Sequence, residues 1–132
     1  MLKKQELNFS FRKEIYDYVQ NKYKTKIEFL WKRYPNYAVF RNNDNKKWYG
    51  VIMDIPYKNL GIEKEGIVDV LNVKVYDMLS KEIFMQQDGI LKSYHMSGNW
   101  ISVLLDGTTN FELVLDLIDQ SFDTIAKRKK RL

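Results

Sequence analysis

The chain has no cysteine, a single histidine, only two prolines and no long apolar run. Without cysteine there are no disulfides, no thiol nucleophile and no thiolate metal site, a composition that suits a reducing compartment. The lone histidine, His95, has no local nucleophile beside it to activate as a general base. Glycine-rich phosphate loops, dinucleotide fingerprints, HExxH and nucleophile-elbow motifs are all missing. The first residues, Met1-Leu2-Lys3-Lys4-Gln5-Glu6-Leu7-Asn8, begin basic but lead into no apolar stretch, so no signal peptide and no membrane span are expected. No repeat or low-complexity linker divides the sequence. The expectation is one non-enzymatic domain over 1–132, cytoplasmic and without a cofactor, with a polar extension at 1–8 and a basic tail at 127–132.

What is present is enough for a packed core. Of the 132 residues, 45% are hydrophobic and 14% aromatic, which separates the chain from disordered sequences. The net charge of +5 equals the contribution of the run Lys127-Arg128-Lys129-Lys130-Arg131, leaving the remainder neutral. That remainder is asymmetric. Residues 1–50 carry a charge of +7 and residues 51–126 a charge of −7, so a basic and an acidic face are expected.

Periodicity assigns the elements. Phe11, Ile15, Tyr18, Val19 and Tyr23 form one helical face from an N-cap at Ser10 to about Lys22. Strands are expected at Ile27–Trp31, Tyr37–Arg41 and Lys47–Ile55, the last two joined through Asn42-Asn43-Asp44-Asn45 as a hairpin with a polar tip. Gly61 and Gly66 bracket a charged loop, and a strand follows over Ile67–Val75. A short helix over Tyr76–Met85 precedes a second hairpin, Leu91–His95 with Trp100–Leu105. Phe111, Val114, Leu115, Ile118, Phe122 and Ile125 mark a terminal amphipathic helix. The fold class is α+β: an antiparallel sheet of about five to six strands with helices packed on one face.

Four segments in order resemble the MmcQ/YjbR family. Ala38-Val39-Phe40-Arg41 with Lys46-Lys47-Trp48-Tyr49-Gly50-Val51 is similar to its first hairpin. Leu71-Asn72-Val73-Lys74 resembles its "LNLK" strand, and Tyr94-His95-Met96 with Trp100 resembles its "yHMnkkhW" segment. Leu117-Ile118-Asp119-Gln120-Ser121-Phe122 resembles the terminal helix. The resemblance implies a frataxin-like (CyaY-like) fold, small cytosolic bacterial proteins and a proposed DNA-binding role through a "double wing" of hairpins. The chain departs from the family at Ser97-Gly98-Asn99, which is uncharged and one residue shorter than a segment that usually holds two basic residues.

The candidate sites follow. Arg41, Lys46, Lys47 and Trp48 put basic groups beside an aromatic ring on a protruding hairpin, the combination that phosphate contacts require. Lys74, Lys92 and the tail Lys127, Arg128, Lys129, Lys130 and Arg131 are the other expected nucleic-acid contacts. With Ser97-Gly98 as a two-residue turn, His95 would face Trp100 and stack on it as a structural pair. Glu112, Asp116, Asp119 and Asp123 lie along one side of the last helix and read as a solvated face rather than a metal site. DNA is thus the expected partner. The alternatives are a protein partner docked on an aromatic surface (Tyr37, Trp48, Tyr49) or on a sheet edge, and a small-ligand or metal site near His95.

Overall fold

A computed structural model of the chain describes residues 9–126. Helix α1 (Arg12–Tyr23) leads into strands β1 (Ala38–Arg41), β2 (Trp48–Pro56) and β3 (Ile67–Lys74). Helix α2 (Met78–Phe84), strands β4 (Ile90–Lys92) and β5 (Trp100–Leu104) and helix α3 (Phe111–Ala126) complete the chain, with a 3-10 turn at Tyr57–Leu60. The five strands form one antiparallel sheet in the order β1-β2-β3-β5-β4. The α+β class and the five-stranded sheet match the sequence reading.

Alternating side chains give the sheet two buried faces. Ala38, Phe40, Ile52, Leu71, Val73, Ile101 and Val103 pack beneath the helices, against Ile15 and Val19 of α1 and Val114, Leu117, Ile118 and Ile125 of α3. Val39, Val51, Met53, Ile55, Val68 and Val70 form a second cluster on the opposite face, covered by Trp31, Tyr37, Trp48, Leu60, Tyr94 and Met96. Among the described residues no α-helix packs on that second face; its cover is made of loops, the 3-10 turn and aromatic rings.

A bulge breaks the β1–β2 ladder, since Phe40 pairs with Gly50 and Arg41 with Trp48, leaving Tyr49 as the extra residue. Tyr49 enters the helix-side cluster, where its hydroxyl bonds the side chain of Thr25. Gly50 has no room for a side chain, because a Cβ there would lie 2.6 Å from the ring of Phe40.

Polar contacts fasten the helices to the sheet. Arg12 grips Asp69 of β3 through two N–H···O bonds of 3.0 and 2.8 Å. Burial works against the guanidinium charge, but Asp69 outweighs it and holds the Arg12 pKa above its ordinary value. Ser10 serves both partners: its oxygen accepts from the Arg12 N–H and its hydroxyl donates to Asp69. Ser10 stands one position before the N-cap, Phe11.

Other expectations are corrected as well. The segment Ile27–Trp31 is not a strand; it touches the sheet through a single bridge, Glu28 to Val39, and its Phe29 and Leu30 are exposed. Asp119 is not part of a solvated face, since it accepts hydrogen bonds from Tyr18, Tyr23 and Lys22 and so joins α3 to α1. The last hairpin keeps a different register, described below.

Candidate nucleic-acid interface

Antiparallel pairing decides where the basic residues meet. Arg41 and Trp48 are the last pair of β1 with β2, and Lys74 and Trp100 are the last pair of β3 with β5. Lys92 ends β4 opposite Ile101, the residue next to Trp100. Five strands therefore finish at one end of the sheet with Arg41, Trp48, Lys74, Trp100 and Lys92. Sequence separation of about fifty residues hides this row, which only the strand order reveals.

The hairpin tip projects from the same end. Asn42 is buried and its side-chain oxygen accepts from the N–H groups of Asp44 and Asn45, which shapes the turn. Lys46 takes a left-handed φ of 66°, and Lys46 and Lys47 are both exposed. Among the described residues neither forms a salt bridge, so both ammonium groups face solvent without a carboxylate partner. Asn45 donates to the carbonyl of Ile125 at 2.9 Å, and Asn43 donates to that of Lys24 at 3.2 Å. The tip is thereby tied to the C-terminal turns of α3 and α1. Residues Lys127 to Arg131 follow α3 in sequence and lie outside the described residues.

The other sequence candidates are less free. Arg41 is held by Glu28 at 2.9 Å and lies over the ring of Trp48, 5.7 Å from its centroid. Its guanidinium also donates to the Lys46 carbonyl at 3.2 Å, so it braces the wing. Lys74 is half-buried, with its backbone N–H bonded to Ser121 of α3, whereas Lys92 is exposed.

The expected stacking of His95 on Trp100 does not occur. The β4–β5 register pairs Lys92 with Ile101 and would carry Ser93, not His95, opposite Trp100. Residues 93–99 instead form a loop. A buried polar network anchors it: Asn72 accepts from Ser93 at 3.1 Å and from Ser102 at 2.6 Å, while Ser102 accepts the Tyr94 N–H at 2.8 Å. His95 takes a left-handed φ of 67° and leans on Tyr94 with ring centroids 4.1 Å apart. Trp100 stays at the sheet end opposite Lys74.

This loop completes a groove on the helix-free face, a cavity of about 570 Å³. Its walls are Trp31, Tyr34 and Tyr37 on one side, Trp48, Met53 and Ile55 on its floor, and Tyr94, His95 and Met96 opposite. Trp31 meets Trp48 and Tyr37 edge-on at 5.8 and 5.7 Å, and Tyr34 stacks on Tyr37 at 4.7 Å. Burial, then the nearness of Tyr94, Asp54 and Tyr34, pushes the Tyr37 phenol up and keeps it neutral. Asp54, at the groove's end, alternates with Met53 and Ile55; it pairs across the strands with Asp69 and accepts from Asn36. Trp31, Tyr34, Tyr94 and Met96 escape a reading by sequence because their segments meet only in the fold. Tyr49, one of the expected aromatic surface residues, is fully buried.

Among the described residues no three His, Asp or Glu side chains gather where they could hold a metal ion, and no helix is long and apolar enough to cross a membrane.

Comparison with known proteins places these features in a family. The chain is 39% identical over 112 residues to the uncharacterized protein YyaQ of Bacillus subtilis, covering 84% of this chain and 94% of that one. The crystal structure of a protein from Pseudomonas syringae superposes with a TM-score of 0.81 at 41% identity, covering 85% of this chain and 96% of its own. Protein DR2400 of Deinococcus radiodurans, a DUF419 domain, shares the fold with a TM-score of 0.66 at 19% identity, over 95% of this chain and 86% of its own. A family model described as YjbR matches residues 20–124, from the last turns of α1 to the last turn of α3. The chain belongs to the YjbR family.

Proposed function

We propose that the protein is a non-enzymatic, cytoplasmic nucleic-acid-binding protein that grips the phosphate backbone with the basic end of its sheet. One observation carries the reading: Lys46, Lys47, Lys74 and Lys92 all lie at the same end of the sheet, where the hairpin tip is bonded to the last turn of α3, the helix that Lys127–Arg131 follow in sequence. Unpaired ammonium groups clustered in this way release condensed counterions from a polyanion, and the affinity then depends on salt more than on sequence. The uncharged Ser97-Gly98-Asn99 contributes nothing to this term. The test is a salt titration of binding to generic duplex DNA, with the full chain and with a chain lacking residues 127–132. Affinity is expected to fall steeply with salt and to be weaker, with a shallower slope, in the shortened chain. Absence of retention at low salt would sink the reading.

A second reading has its own observation. Met78, Leu79 and Ile83 on the short helix α2 are each more than half exposed, an apolar patch suited to a protein partner. Capture of one partner that survives nuclease treatment and is lost on Leu79→Asp would favour it.

A further inference from the structure

We propose that the aromatic groove on the helix-free face receives the base of an unpaired nucleotide, so that the protein prefers single-stranded nucleic acid to duplex. The inference rests on the nucleic-acid reading above and names the form of ligand that reading leaves open.

Trp48 belongs to both surfaces. It ends β2 in the basic row, beneath the Arg41 guanidinium, and it is also part of the groove floor. A strand whose phosphates lie along Lys46 and Lys47 therefore passes the mouth of the groove. The wall that packs on Trp48 repeats the pattern, since exposed Lys32 and Arg33 stand in sequence between Trp31 and Tyr34. Aromatic faces next to cations are what single-strand binding uses: phosphate attraction along the backbone and stacking for bases that have left their partners.

The groove chemistry agrees with a base as occupant. Its rings are indole, phenol and imidazole, with Met53 and Met96 as soft apolar filling. Tyr34 is half exposed and stacks on Tyr37, which leaves the outer face of its ring open to a planar partner. Asn59 and His95 supply hydrogen-bonding groups at the rim for a base edge. The cavity volume is ample for a nucleobase. A base within a duplex is stacked on both faces and cannot enter without being extruded.

The experiment compares a short mixed-sequence single strand with its own duplex at one fixed salt concentration, reading both affinity and tryptophan fluorescence. The single strand is expected to bind about tenfold more tightly and to quench the emission of Trp31 and Trp48. Tyr34→Ala and His95→Gly, the latter suited to a left-handed backbone, are expected to remove most of that preference. Neither should change the duplex affinity or its salt slope, which the lysines set. Equal affinity for the two forms, with duplex still retained, would overturn this inference and leave the proposed function intact. If neither form is retained, both readings fall. Quenching by free guanosine in that case would also count against it, since the groove would then serve a small heterocycle instead.

Discussion

The side-chain amide of Asn45 donates to the backbone carbonyl of Ile125 at 2.9 Å, across eighty residues of sequence. The bond joins the tip of the first hairpin to a backbone carbonyl in the last turn of α3. Asn45 also accepts the Lys47 N–H at 2.9 Å, so one residue positions both the tip and its lysine. Asn45→Ala is expected to lower stability by about 1–2 kcal/mol, read from the denaturant midpoint, and to weaken duplex binding without removing a charge. An unchanged binding curve would show that the tip does not need this tether.

Replacing Lys46 and Lys47 with glutamate tests the wing directly. Removing one lysine–phosphate interaction makes the slope of log affinity against log salt shallower by about 0.9, so the double variant should differ from the native protein by nearly twice that. Its melting temperature should hardly move, because neither lysine forms a salt bridge among the described residues.

Asn72→Ala removes the hub beneath the 93–96 loop. Ser93 and Ser102 lose their shared acceptor in a buried setting, which costs roughly 1–3 kcal/mol. Hydrogen exchange at the Tyr94 amide, bonded to Ser102, should accelerate more than exchange in β2. Equal protection in the variant would remove Asn72 from its role in shaping the groove.

Gly50→Ala inserts a methyl group 2.6 Å from the Phe40 ring. Phe40 is fully buried against Tyr16 and Tyr49 and has little room to turn. A loss of about 1–3 kcal/mol in chemical denaturation is expected, the range for overpacked cores.

Asp119 gives the stability a defined pH dependence. Burial raises its pKa, but bonds from Tyr23, Tyr18 and Lys22 outweigh burial and hold it below the usual carboxylate value. Its contribution is therefore full above about pH 4, the unfolded value, and is lost as pH falls through the folded one. Tyr23 runs the other way: burial and then Asp119 raise its phenol, so that contribution persists to about pH 10 and is lost as pH rises further. Asp119→Asn should flatten both limbs of stability against pH, measured by denaturant unfolding across the range.

How far the sequence foretells the molecule varies by element. Helix α3 is legible because six apolar residues keep one helical face over its whole length, and the first hairpin because strand-forming runs flank four turn-forming residues. The second hairpin misleads. Ser97-Gly98 has the composition of a two-residue turn, yet hydrogen bonds from Ser93 to Asn72 and between Asn99 and Val75 favour a longer loop. Those bonds reach over twenty residues, beyond any local pattern. Ile27–Trp31 has strand-like composition, but only Glu28 finds a partner on β1. The basic side chains are visible one by one; that they share a sheet end depends on β5 lying between β3 and β4.

The bulge at Tyr49 acts as a phase shifter within a single strand. Beyond it, Val51, Met53 and Ile55 face the groove, and strict alternation back from them would send Tyr49 there and bury Trp48 under the helices. The one extra residue reverses that assignment. A ladder that absorbed Tyr49 into regular pairing would thus do more than straighten β2: it would exchange which aromatic ring lines the groove and which is sealed inside. Groove lining and core packing are separated in this molecule by the insertion of a single amino acid.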